Sequence, residues 1–138
     1  MSKLVTLDLS SNMLCGYLDA DSFAQFTCLK DLNLSFNEFE GPIPDVFHCM
    51  RELTHLNLSG NKLIGEIPSS ISCLTELQEL KLYNNQLSGN IPAGMSALQN
   101  LVRVNLSQNR YRNNKRIDFL SLCMNVNLVH FCLCIYFD

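Results

Sequence analysis

Catalysis at neutral pH needs a titratable or nucleophilic side chain held against a partner, and metal binding needs clustered ligands. His48, His55 and His130 have no repeated carboxylate or thiol partner at functional spacing. The sequence holds no Gly-x-Ser-x-Gly, no glycine-rich phosphate loop, no His-Glu-x-x-His and no kinase catalytic loop. Cys123, His130, Cys132 and Cys134 lie close together, but their spacing matches no usual zinc site. No catalytic residue, no metal and no small-molecule cofactor is expected. What does recur is Asn-Leu-Ser, beginning at Asn33, Asn57 and Asn105. On a secreted chain each is an acceptor for an N-glycan. The same tripeptide is also what a repeated structural motif would produce without any selection for glycosylation.

The elements that position these residues come from a repeat. Leu4, Leu29, Leu53, Leu77 and Leu101 are spaced 25, 24, 24 and 24 residues apart. Counting from each of these leucines, apolar residues return at positions one, four and six, as in Leu77, Leu80 and Leu82. Alternation at four and six predicts a short strand with one face buried, which neighbouring units must cover. Asn12, Asn37, Asn61, Asn85 and Asn109 stand three residues after position six in every unit. An amide carries donors and an acceptor, so a column of these asparagines is expected to pair turn backbone groups and lock coils in register.

The later half of the unit repeats too. Gly41-Pro42-Ile43-Pro44, Gly65-Glu66-Ile67-Pro68 and Gly89-Asn90-Ile91-Pro92 share Gly-x-Ile-Pro. Glycine permits a positive φ and proline holds the preceding isoleucine extended, which predicts a second extended segment there. A helical turn over about 69–74 and its equivalents should follow, with Phe47, Ile71 and Met95 pointing inward, then Met50, Leu74 and Leu98. These motifs resemble the plant-specific class of leucine-rich repeats over residues 3–109. The first unit departs from the pattern, since Gly16-Tyr17-Leu18-Asp19 lacks the proline. The resemblance implies an α/β solenoid, a right-handed superhelix with a parallel sheet on its concave face. Five repeats are clear, with a degenerate sixth strand where Leu128, Phe131 and Leu133 fit positions one, four and six.

On the concave face the third-position column reads Thr6, Asp31, His55, Glu79, Arg103, and the fifth reads Asp8, Asn33, Asn57, Lys81, Asn105. Phe36, His55, Glu79, Lys81, Tyr83 and Arg103 break the Asn/Ser background as an aromatic, mixed-charge patch. Two readings stand: ordinary variation on a solvated face, or a contact for a peptide or protein. Glycans at Asn33, Asn57 or Asn105 would cover part of that face. Cys49 and Cys73 occupy one offset in successive units, as two thiols or a bonded pair, and Cys15 and Cys28 have no evident partner.

With 10 basic and 13 acidic residues, a net charge of −3 leaves no field for a nucleic-acid backbone. The chain divides into the solenoid, 1–109, and a non-repeat tail, 110–138. The tail opens with Arg110, Arg112, Lys115 and Arg116, then runs 19 residues from Phe119 to Phe137 without Asp, Glu, Lys or Arg. As a helix that stretch would span about 28 Å. Asn125, Asn127 and His130 oppose a membrane span, as does the basic cluster ahead of it. A strand covering the end of the core, or read-through that is not native coding sequence, are the other readings. Neither a secretory signal nor a cap precedes the first repeat, so a fragment of a longer ectodomain, or a marginally stable product, is expected.

The resemblance points to the ectodomains of plant receptor-like kinases and receptor-like proteins. It implies a module for signal perception at the plasma membrane or outside the cell, taking a peptide or protein ligand or a co-receptor. Association with a membrane would come only through a parent protein. A truncated or decoy product, or a small inhibitor of cell-wall-degrading enzymes, is the alternative, and a chain complete as it stands would be cytoplasmic.

Overall fold

The computed structural model describes residues 3–111 and 130–132. Each coil opens with a three-residue strand: β1 (Thr6–Asp8), β3 (Asp31–Asn33), β5 (His55–Asn57), β7 (Glu79–Lys81) and β9 (Arg103–Asn105). These strands pair in parallel with β11 (His130–Cys132) as the sixth and last, in the order β1-β3-β5-β7-β9-β11. Position three meets position three across the sheet, as Asp31 opposite His55 and Glu79 opposite Arg103. Phe131 falls opposite Val104, so the sixth strand takes the register its apolar spacing predicted. A strand at 130–132 also interrupts the continuous helix that a membrane span through 119–137 would require. Among the described residues no helix is long and apolar enough to cross a membrane. The rest of the tail, with the read-through question and Cys123 and Cys134, lies outside the described residues.

A second parallel sheet lines the opposite wall: β2 (Cys15–Tyr17), β4 (Glu38–Pro42), β6 (Lys62–Gly65), β8 (Gln86–Gly89) and β10 (Arg110–Tyr111). Its strands end at or just past the glycine of Gly-x-Ile-Pro, earlier than expected from the Ile-Pro step. The glycine explains the ending, because Gly65 has φ +77° and its equivalents Gly41 and Gly89 are similar. Neighbours here are staggered, with Glu40 opposite Lys62 rather than its repeat equivalent Ile64. The shift is two residues, so every side chain keeps its own face.

The expected helical turns are present in 3₁₀ form at Phe47–Cys49, Ser69–Cys73 and Ala93–Ala97. The first coil instead has a one-turn α-helix, α1 (Ala20–Phe23), capped by Asp19, whose carboxylate accepts from the Ser22 amide at 2.9 Å. Leu80, Leu82, Ile71 and Leu74 are fully buried, as are Phe47, Met50, Met95 and Leu98. Each such side chain stabilises the stack by about 1.5–3 kcal/mol. Because one core runs through all coils, no coil could keep that contribution alone.

The asparagine column does lock the coils. Asn85 Nδ2 donates to the carbonyls of Leu82 (3.1 Å) in its own coil and Leu58 (3.0 Å) in the preceding one. Its Oδ1 accepts from the Leu63 amide of the preceding coil at 3.0 Å. Asn37, Asn61 and Asn109 repeat the arrangement. Asn12 does not: it is exposed and bonds only the nearby carbonyls of Leu9 and Ser10. Among the described residues it has no preceding coil to reach, so it is a turn residue and the buried ladder has four members.

Candidate binding surface

Strand alternation turns positions three and five of every coil onto the concave face. There they line an open groove of about 320 Å³ bordered by Asp8, Asp31, Asn57, Glu79 and Lys81. The fifth-position asparagines are not free side chains. Asn57 Oδ1 accepts from the Ser59 amide (3.1 Å) and the Ser59 hydroxyl (2.6 Å). Asn33 with Ser35 and Asn105 with Ser107 form the same clasp. The sequon therefore has a structural reason, because it satisfies a buried serine hydroxyl at the end of each strand. In the first coil Asp8 takes this place and accepts from the Ser10 amide at 2.9 Å. Hydrogen bonds from Ser10 hold the Asp8 carboxyl below the usual carboxylate range, so it stays ionised.

The fourth coil has lost both members of the clasp. Lys81 replaces the asparagine and Tyr83 the serine. Lys81 Nζ instead lies 3.1 Å from Glu79 Oε2, and Arg103 stands 3.7 Å from Glu79 Oε1. With its side chain only 17% exposed, Glu79 sits between two cations. His55 Nδ1 meets Asp31 Oδ1 at 2.9 Å, a partner that the predicted patch omitted. The position-three register was the signal that could have found Asp31, since it directly faces His55.

Phe36 and Tyr83 form the other half of the patch. Their rings meet edge to face with centroids 6.3 Å apart, although two coils separate them in sequence. The intervening residue is Gly60, where a β-carbon would come within 2.6 Å of the Phe36 ring. Phe36 has φ +53° and remains 49% exposed. The six predicted residues thus fall into two groups on one face, an ion-paired row and an aromatic pair, with His55 joined to Asp31 rather than to Glu79.

Cys15, Cys28, Cys49 and Cys73 are free thiols in the structure. Among the described residues no group of three metal-ligating side chains converges.

Leucine rich repeat family models match residues 2–63 and 76–98. No curated protein sequence matches the chain. The plant peptide hormone receptor RGFR1, solved in complex with RGF2, superposes with a TM-score of 0.87 at 33% identity, over 96% of this chain and 20% of that one. The BIR3–SERK2 complex from Arabidopsis thaliana gives 0.79 at 33% identity, over 94% of this chain and 69% of its own. A plant ice-binding protein gives 0.75 at 34% identity, over 80% and 35%. The chain spans about a fifth of the length of RGFR1. The chain belongs to the leucine-rich repeat family, and its fold is similar to those of plant receptor kinase ectodomains.

Proposed function

We propose that this chain is a peptide- or protein-binding module and acts as part of a plant cell-surface receptor ectodomain in signal perception. The observation that carries the reading is the loss of the Asn–Ser clasp in the fourth coil. A solvated face gains nothing from exchanging a satisfied structural pair for Lys81 and Tyr83. A recognition face gains an ion-paired row along the groove and an aromatic contact at its rim. Tyr and Arg are frequent anchors in interfaces. The length of RGFR1 relative to this chain supports a place within a longer ectodomain, and its complex with RGF2 supports a peptide as the class of ligand. The ice-binding relative is a reminder that the scaffold alone does not decide the function.

The test is selection of a displayed random 12-residue peptide library on the immobilised chain, with His55→Trp as a variant that fills the middle of the groove and leaves the Asn–Ser clasps intact. Peptides that bind the parent and lose at least about ten-fold on His55→Trp support the proposal. Absence of enrichment, or equal binding to both proteins, refutes it.

A further inference from the structure

Position eight of every coil is left-handed. Ser11, Phe36, Gly60, Asn84 and Gln108 all have φ between +53° and +66°. In coils one to four the reason is a fixed bond: the position-eight amide donates to the position-seven carbonyl of the next coil, as Phe36 to Ser59 at 2.9 Å and Gly60 to Tyr83 at 3.0 Å. Glycine and asparagine accept this backbone readily, whereas for a bulky aromatic residue it is an outlier. Phe36 is not there for the core, because half its surface remains in solvent. Its ring crosses Gly60 and reaches Tyr83, giving an aromatic ledge that runs along the rim from the second coil to the fourth.

The groove beside that ledge is electrically uneven. Among the described residues neither Asp8 nor Asp31 is paired with a lysine or arginine. At the other end Glu79 is met by both Lys81 and Arg103. The first two coils are therefore acidic and the fourth and fifth net basic.

We infer that the Phe36–Tyr83 ledge seats one bulky apolar side chain of an extended peptide, whose basic residue lies towards Asp8 and Asp31. One or two coil rises and three to five residues of strand separate the acidic side chains from the middle of the ledge, about 14–17 Å at full extension, which four or five extended residues cover. This rests on the peptide-binding reading and adds to it the side chains that the groove selects.

The library selection above, carried out on the full chain, tests both and separates them. Enriched peptides should carry Phe, Tyr, Trp, Leu or Ile at one position, with Lys or Arg three to five residues to one side. Phe36→Asn should weaken those peptides at least about ten-fold while melting no lower than the parent, since asparagine tolerates the backbone. Tyr83→Ser, which restores the residue of the other coils, should weaken them as well, and Asp8→Asn combined with Asp31→Asn should erase the basic preference. Peptides that are sensitive to His55→Trp yet show no apolar position, or that bind Phe36→Asn and Tyr83→Ser as tightly as the parent, overturn the ledge and leave the module standing. No enrichment at all overturns both.

Discussion

Replacing Asn85 by alanine removes one rung of the ladder, and its cost can be worked from the bonds. Asn85 Nδ2 serves the carbonyls of Leu58, Leu82 and Tyr83, at 3.0, 3.1 and 3.4 Å. The two closest keep other donors: Asn61 still reaches the Leu58 oxygen at 3.1 Å, and Asn109 the Leu82 oxygen at 2.9 Å. The Leu63 amide has no such substitute, because its bond to Asn85 Oδ1 is the one that the side chain alone supplies. One orphaned buried N–H costs about 1–3 kcal/mol, and the vacated amide volume adds to it. A total of about 2–4 kcal/mol follows. Asn12→Ala should cost under about 1 kcal/mol, since that side chain is exposed and bonds only within its own turn. Urea unfolding followed by circular dichroism on both variants measures the difference. A cost for Asn85→Ala below about 1 kcal/mol, or equal to that of Asn12→Ala, would refute the idea that the column holds the coils in register.

Three further outcomes follow from particular contacts. Gly60→Ala should destabilise by about 1–3 kcal/mol, because alanine is strained at φ +66° and its β-carbon meets the Phe36 ring; in a Phe36→Asn background only the backbone part, about 1 kcal/mol, should remain. Asp45 accepts from the Ser70 amide at 2.9 Å, and bonds from the Ser70 side chain and backbone hold its carboxyl below the usual range. That contribution is complete above the unfolded-state value near 3.8 and is lost as pH falls through the lowered one, so the stability deficit of Asp45→Ala at neutral pH should shrink in acid melts. If the chain is produced through a secretory pathway, enzymatic deglycosylation should reduce its mass through at least one of Asn33, Asn57 and Asn105. Ser59→Ala is the cleaner removal of the middle sequon than Asn57→Gln, which strands the fully buried Ser59 hydroxyl.

Much of this architecture was legible because a repeat states each rule several times over. In coils two to five the apolar residues at positions one, four and six, the asparagine three residues on, and the inward Phe47, Ile71 and Met95 all occupy their expected places, whereas in the first coil Leu9 is 38% exposed. The features that were missed depend on relations between coils. The two-residue stagger of the second sheet follows from how the chain leaves each turn, which no single unit records. Asn12 carries the same residue at the same offset as Asn85, yet its surroundings among the described residues lack the preceding coil. The left-handed backbone at position eight had a faint signal in Gly60 and Asn84, but Phe36 in the same column concealed it. The pairing of His55 with Asp31 is implicit in the register, whereas the predicted patch follows rarity of residue type, which carries no information on adjacency.

The distinction matters for reading function from such a scaffold. Residues that obey the repeat are explained by the repeat: Asn57 and Ser59 satisfy each other, and Leu80 fills the core. They would be present whatever the chain recognised. Departures carry the information, and here they are not scattered. Lys81 and Tyr83 give up one clasp, Phe36 accepts a strained backbone, and Gly60 lies where any side chain would block the Phe36 ring. The strained residue and one of the two substitutions touch each other across two coils, and the second substitution pairs with Glu79 on the same face. Independent drift at separate exposed positions has no reason to converge on a shared contact. A selected surface does, because an anchor side chain is useful only where its neighbours make room for it and shield it from water.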